Sequence, residues 1–421
     1  MSCRMSLRNK RIAILNDSTK YGRLTIMQQP IVHTYSLGEL YTERKEKGDP
    51  SLPILTVSIH AGVSEGELDE DKLGKKVKRI ADKTQYKTAR KGDLVFNMMR
   101  AWQGAIGVVR SDGLVSPAYI VAKPNEKIWP EYMDYCMKTP RMIHAIHRQS
   151  YGVTDFRLRL YWDSFTPITC QLPPLPEQQK IAAILSTQDK VIELKEKLLA
   201  QKQQQKKYLM QQLLTGKLRL PDVNGEWASV KLKELLIERN EKNVEQNHRI
   251  CSVAVSKGVV DQIEHLGRSY AAADTSNYGV AHYGDIIYTR SPTGDFSLGI
   301  IKQNRMRENV AISPLYGIYK PISFSTGYLL NIYFESTINT KNYLTPIVQK
   351  GAKNTIAISN SAFLENKIFF PMDEATQSRI AKVFELTDHE IDLLQKSIEA
   401  EKQKKKALMQ LLLTGKVRVK I

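Results

Sequence analysis

No run of about 18 apolar residues occurs in the 421-residue chain, so no membrane-spanning helix is expected. The opening residues, MSCRMSLRNKRIAIL, lack the uninterrupted apolar core of a secretory signal. Cysteine is scarce. Cys3, Cys136, Cys170 and Cys251 form no C-x-x-C pair and have no histidine at zinc spacing. That excludes a disulfide framework and a zinc cluster, and it fits a reducing cytoplasm. A phosphate-binding loop is missing too: Gly216-Lys217 and Gly415-Lys416 have no upstream glycine in step and no following hydroxyl. The Asn/Asp-Pro-Pro-aromatic tetrapeptide that holds a flipped base does not occur. The only Pro-Pro stands in Leu172-Pro173-Pro174-Leu175.

Other fragments of chemistry stay incomplete. Glu43-Arg44-Lys45 and Glu193-Leu194-Lys195 carry a Glu-x-Lys seen in some metal-dependent nucleases, but no convergent carboxylates accompany them. His144 and His147 stand three apart without a third ligand in step, which suits packing or surface better than a metal. The expectation is a chain with no catalytic centre, no metal and no cofactor of its own.

What is present in excess is positive charge. The net charge is +18, from 62 Lys and Arg against 44 Asp and Glu. Such an excess either marks a polyanionic partner or belongs to a basic soluble protein without one. It is uneven: residues 1–170 carry a net +9 and residues 221–370 only +2. The first half is therefore expected to grip phosphates harder.

The chain also repeats itself. Leu213-Leu214-Thr215-Gly216-Lys217-Leu218-Arg219 returns 199 residues later as Leu412-Leu413-Thr414-Gly415-Lys416-Val417-Arg418. Ile181-Ala182, Asp189 and Leu209-Met210-Gln211 return at the same offset. Weaker echoes precede them in the same order: Gly92-Asp93-Leu94-Val95-Phe96 with Gly284-Asp285-Ile286-Ile287-Tyr288, and Leu37-x-Glu39-Leu40 with Leu232-x-Glu234-Leu235. This is one tandem duplication, each copy a variable block followed by a helical block.

The variable blocks read as mixed α/β. Ile54–Ile59, Asp93–Asn97 and Ile286–Thr289 are β-rich runs bounded by turn formers, and Pro130–His147 suits an interposed helix. In the helical blocks Pro176-Glu177 suits a helix start, Asp373 or Thr376 a cap, and Gly216 and Gly415 left-handed stops. Heptad spacing picks out Leu185, Ile192, Leu199, Lys206 and Leu213. The second copy has Phe384, Ile391, Ile398, Lys405 and Leu412 at matching places. Two stripes of matched length and register are expected to bury each other, with Leu185, Ile192 and Leu199 set against Phe384, Ile391 and Ile398. The tracts Lys202–Lys207 and Lys402–Lys406 read as solvated faces.

The segment Leu172-Pro173-Pro174-Leu175-Pro176-Glu177-Gln178-Gln179-Lys180-Ile181, with the long helix and Leu-Leu-Thr-Gly-Lys behind it, resembles the specificity subunits of type I restriction-modification systems. The resemblance covers nearly the whole chain. The second copy, Pro371-Met372-Asp373-Glu374-Ala375-Thr376-Gln377, keeps a proline and Gln377 but loses the glutamate. The resemblance implies an α+β protein with pseudo-twofold tandem repeats. Target recognition domains at 1–172 and 218–370 would each read half of a split site in double-stranded DNA. Helical regions at 173–217 and 371–421 would pair as an antiparallel coiled coil and act as a ruler. It implies two methyltransferase subunits, which bring S-adenosylmethionine, and motor-nuclease subunits for cleavage. From Ile181 to Leu213 such a helix measures about 48 Å, against about 34 Å for one duplex turn.

Two loops per head are candidates for DNA contact. In the first head the resemblance points to Tyr151–Arg159, with Gly152, Thr154, Arg157 and Arg159. Its partner holds Lys350, Lys353, Asn354 and Thr355. Glycine allows close approach to phosphate, and short polar groups beside basic ones meet phosphates and base edges. The second loop follows the Gly-Asp strand and offers Arg100 and Gln103 in one head, Arg290 and Thr293 in the other. Arginine can be bidentate to guanine and glutamine to adenine. Trp102 suits either a wedge or the core. Lys75, Lys76, Lys78 and Arg79 meet either phosphate or solvent.

Overall fold

The structure is a computed structural model that describes residues 32–59, 62–65, 82–154, 157–221, 223, 225–350 and 356–420. The chain divides into two compact units, residues 1–187 with 405–421, and residues 188–404. Each takes one head and part of both long helices.

In the first unit a four-stranded antiparallel sheet runs in the order Tyr41–Glu43, Tyr119–Pro124, Leu94–Asn97, Ile106–Val108. The expected run at Asp93–Asn97 is its third strand, with Leu94, Val95 and Phe96 fully buried. A layer of short helices covers the sheet. The sequence suggests a single helix over Pro130–His147, but there are two, Pro130–Cys136 and Pro140–Gln149. The break is at Pro140, which has no N–H to continue the first helix, while the Thr139 hydroxyl caps the second by accepting from Met142 N at 3.3 Å. The head closes on itself through antiparallel pairing of His33–Ser36 with Thr169–Leu172.

The second unit repeats this plan. Its sheet runs Leu236–Glu238, Gly317–Pro321, Ile286–Tyr288, Ile301–Gln303, and Trp227–Lys231 closes the head against Lys367–Pro371. A second four-stranded sheet contains a parallel pair, Arg249–Ala254 beside Val310–Ile312.

The long helices span Leu175–Leu213 (the central helix) and Glu374–Leu412 (the distal helix). Asp373 caps the distal helix by accepting from Thr376 N at 2.8 Å. Both helices end in left-handed glycines, with φ of +67° at Gly216 and +69° at Gly415. Leu218 N returns to Gln212 O and Val417 N to Leu411 O, each at 3.1 Å, so the last carbonyls are satisfied. Gln178 and Gln377 occupy matching places and do matching work. Gln178 accepts from Trp129 N at 2.9 Å and donates to Pro173 O; Gln377 accepts from the Thr326 hydroxyl at 2.6 Å and donates to Pro371 O.

Within the second unit the helices run antiparallel. Gln188 donates to Glu401, Lys195 reaches Ser397 at 2.8 Å, and Lys202 pairs with Glu390 at 2.8 Å, so one number rises as the other falls. This corrects the expected facing of Leu185 and Ile192 with Phe384 and Ile391. Antiparallel pairing joins the start of one helix to the end of the other. Leu185 therefore packs in a cluster with Leu412, and Phe384 with Leu213. Ile192 and Ile398 are buried, Leu199 and Ile391 half-buried.

The lysine tracts are not simply solvated. Lys206 meets Glu335 and Asp388, both at 2.7 Å. Burial works against its charge, and the two carboxylates more than offset that, so its pKa is raised. Lys402 pairs with Glu196, and Lys405 lies over the Tyr135 ring.

The lost glutamate of the second copy also has a counterpart. In the first unit Glu177, with its side chain 1% exposed, receives Arg418 through Nε at 2.7 Å and through Nη2, and Val419 N at 3.3 Å. In the second unit Thr376 stands where Glu177 does, and Arg219, the repeat of Arg418, lies over the Trp227 ring at 5.3 Å instead.

Candidate nucleic-acid interface

In the first head the strand Leu94–Asn97 runs straight into the loop. The Asn97 carbonyl accepts from Arg100 N and its side-chain oxygen from Met99 N, both at 3.0 Å, which forces a tight turn. A single 3-10 turn, Ala101–Gln103, follows and stops at Gly104, whose φ is +102°. This places Arg100 and Gln103 on the surface. Trp102 does not project: it is half-buried, its Nε1 donates to Met99 O at 3.1 Å, and its ring meets His147 edge-on at 5.5 Å. That contact also gives His147 a packing role. Among the described residues no group of three or more His, Cys, Asp or Glu could hold a metal.

The Tyr151–Arg159 loop is closed by a two-way backbone pair, Tyr151 N to Arg159 O at 3.1 Å and Arg159 N to Tyr151 O at 3.0 Å. Tyr151 stacks on Tyr161 with centroids 5.0 Å apart. A Cβ on Gly152 would lie 2.3 Å from the Arg157 carbonyl, so glycine is required there for the loop to close on itself. This assigns the glycine a reason other than approach to phosphate. Thr154, Arg157 and Arg159 are exposed. Leu160 N donates to Met98 O at 2.9 Å, which sets this loop beside the one bearing Arg100 and Gln103. Among the described residues no carboxylate forms an ion pair with Arg100, Arg157 or Arg159, so these loops present positive charge.

The second head has the same pair of positions with other chemistry. Arg290 is half-buried in a left-handed conformation, φ +57°, and its guanidinium donates to Asn360. Thr293 and Phe296 bridge each other at 3.0 Å in both directions around exposed Gly294 and Asp295. Lys350 ends a short strand, Gln349–Lys350, paired with Ile356–Ala357. Lys353, Asn354 and Thr355 lie outside the described residues, as do Lys75, Lys76, Lys78, Arg79 and Cys3.

At the start of the strand that leads into the Arg100 loop, and of its repeat leading into the Arg290 loop, stands an ion pair that sequence reading missed. Arg44 is bidentate to Asp93, at 2.6 and 3.1 Å, and Arg239 to Asp285 at 2.6 and 3.1 Å. Each aspartate is buried and follows a glycine of φ near +92°, Gly92 or Gly284 at +93°. The Gly-Asp echo was the available signal; the arginine partners were not visible. Around the first pair Arg90 hydrogen-bonds Glu46 and lowers its pKa. The three described cysteines are buried, and desolvation pushes the Cys136 and Cys251 thiols up to about 12, which makes them inert as nucleophiles at neutral pH.

Residues 37–203 match the sequence family described as the type I restriction modification DNA specificity domain. The chain thus carries that domain over residues 37–203, and over most of its length it is similar to specificity subunits of type I restriction-modification systems. The specificity subunit of the type I restriction enzyme MjaVIII from Methanocaldococcus jannaschii is 25% identical over 334 residues, 73% of this chain and 75% of that one. The crystal structure of a type I restriction-modification S subunit from M. genitalium superposes with a TM-score of 0.55 at 12% identity, over 92% of this chain and 98% of that one. A chain from a study of complex assembly and conformational transition in the type I system gives 0.51 at 16% identity, over 91% and 98%. At these identities the structural likeness concerns the fold. It covers both heads and both long helices, whereas the family match covers the first head and most of the central helix. No helix among the described residues is long and apolar enough to cross a membrane.

Proposed function

We propose that the chain is a specificity subunit that reads a bipartite, gapped target in double-stranded DNA, one half-site per head, with the paired helices as the ruler between them. One observation carries this reading: the heads share a sheet order and a loop layout, but the loops differ in chemistry. Shared scaffolds suit equivalent placement on two segments of duplex. Differing loops suit different half-site sequences, so the target is asymmetric. Exposed Arg100, Arg157 and Arg159 fit phosphate and base-edge contacts in the first head.

The chemistry is supplied by others. Two methyltransferase subunits, carrying S-adenosylmethionine, dock on the helices, and motor-nuclease subunits join them for cleavage, all in the cytoplasm. The chain contributes address, not turnover. The test is methylome sequencing of cells with and without this gene, together with gel shifts at several salt concentrations with the methyltransferase subunits added. A gapped methylated motif that vanishes with the gene, and binding that weakens steeply with salt, are expected. An unchanged methylome overturns the reading, as does turnover by the purified chain alone.

A further inference from the structure

Arg290 adopts a backbone conformation that an L side chain enters only where its surroundings require it: its φ is +57°. The facing strand end accommodates it through Gly299, where a Cβ would stand 2.9 Å from Arg290 N and 3.0 Å from its Cα. The side chain is held as firmly. Arg290 Nη2 donates to Asn360 Oδ1, the same oxygen accepts the Tyr319 hydroxyl at 3.0 Å, and Asn360 Nδ2 donates to Glu238 Oε1. An ionised carboxylate can only accept, so Glu238 determines which way the Asn360 amide faces and turns its oxygen towards the arginine. Behind the network stand Tyr288 and Tyr319, stacked on Phe363 at 4.9 and 4.8 Å. Arg290 Nε is buried without a hydrogen bond.

The first head fills the same place differently. Phe96 stacks on Phe165 at 4.9 Å just as Tyr288 stacks on Phe363. Two residues on from the strand ring stand Met98 and Arg290; three residues before the helix ring stand Trp162 and Asn360. Met98 and Trp162 simply pack against the core. Packing alone is therefore satisfied by an apolar pair. A half-buried guanidinium with one donor left unpaired is an expensive substitute unless the arginine itself is needed.

We propose that Arg290 reads a guanine in the second half-site and that Asn360, oriented by Glu238, is its positioning residue. This rests on the reading of each head as a half-site reader. With one hydrogen of Nη2 committed to Asn360, the remaining Nη1 and Nη2 hydrogens form the end-on fork that guanine O6 and N7 accept.

The test uses the full-length subunit with its methyltransferase subunits. The probes are duplexes of the methylated motif and a panel in which each base pair of both half-sites is replaced in turn. Arg290→Ala and Asn360→Ala are expected to lower discrimination at one and the same G·C position. The loss for Arg290→Ala should be about 5- to 150-fold, the worth of one bidentate pair. Discrimination in the other half-site and the salt slope should not change. Asn360→Ala should add nothing in an Arg290→Ala background. Glu238→Gln, which keeps an accepting oxygen, should retain discrimination, and Glu238→Ala should lose it. If Asn360→Ala does not fold, the two Glu238 variants carry the same comparison. A uniform loss across all sequences with a shallower salt slope would make Arg290 a phosphate contact and overturn the proposal. So would an Asn360→Ala effect that persists without Arg290. A wild-type complex with no sequence preference overturns the half-site reading as well; a selective wild type with unchanged variants overturns this inference alone.

Discussion

Removing Arg418 should destabilise the first head, although Arg418 lies 241 residues from its partner Glu177. At the observed 2.7 Å the gross attraction, at an effective dielectric near 20, is about 6 kcal/mol. Desolvation of the pair cancels much of this. What Arg418→Ala leaves behind is a carboxylate on a side chain only 1% exposed. Stranding a buried charge costs about 3–5 kcal/mol. Arg418 itself is 23% exposed, which places the loss near the lower end, about 3 kcal/mol. In urea that is a midpoint shift of roughly 1.5 M if the slope is near 2 kcal/mol/M. Three tryptophans, Trp102, Trp129 and Trp162, lie in the first unit and only Trp227 in the second, so Trp227→Phe gives a background in which fluorescence reports the first unit alone.

The sign with pH follows from Glu177. Burial raises its pKa, but the hydrogen bonds from Arg418 and Val419 N outweigh that, and the folded value is lowered. Its contribution is present above the unfolded value of about 4.3 and is lost as pH falls through the folded value. In Arg418→Ala burial is opposed only by the Val419 N hydrogen bond, so the carboxyl takes up a proton more readily, and the deficit should shrink between pH 7 and about pH 4. Replacing both residues by methionine should come within about 1 kcal/mol of the parent, because no charge is then stranded. A midpoint unchanged at pH 7, or a deficit that grows on acidification, would refute the reasoning.

Arg157→Ala should weaken binding about equally for all sequences and lower the salt slope by about 1, because the side chain is exposed and has no ion-pair partner among the described residues; gel shifts in a salt series measure both, and an unchanged slope and affinity would make its loop a mere turn. Exchanging residues 224–370 for the matching block of a related subunit should change one half of the methylated motif only; a change in both halves would deny the heads independence. Lengthening the ruler needs seven residues in both helices, after Leu199 and after Leu393, since the antiparallel pairs Lys195–Ser397 and Lys202–Glu390 bracket those points. That adds about 10.5 Å and should widen the spacer by up to about three base pairs, read by methylation mapping. A matched four-residue insertion should turn the seam out of phase and impair folding.

The sequence by itself determined the features whose causes are local or periodic. The duplication, the 39-residue helices, their glycine stops and the strand after each Gly-Asp follow from spacing of 3.5 or 2 residues and from the conformational freedom of Gly216 and Gly415. Tertiary structure decided whatever depends on which distant segments meet. Arg44 finds Asp93 across 49 residues, and nothing in the composition around either says so. The helix stripes were visible and the resemblance implied that they pair antiparallel, but the heptad pattern itself reads the same in both directions and did not place Leu185 in one cluster with Leu412. Trp102 and Arg290 show the same limit at the candidate interface. Both sit in loops where a sequence offers residue types, while the neighbours that bury or aim them, His147 for one and Asn360 for the other, arrive from elements 45 and 70 positions away.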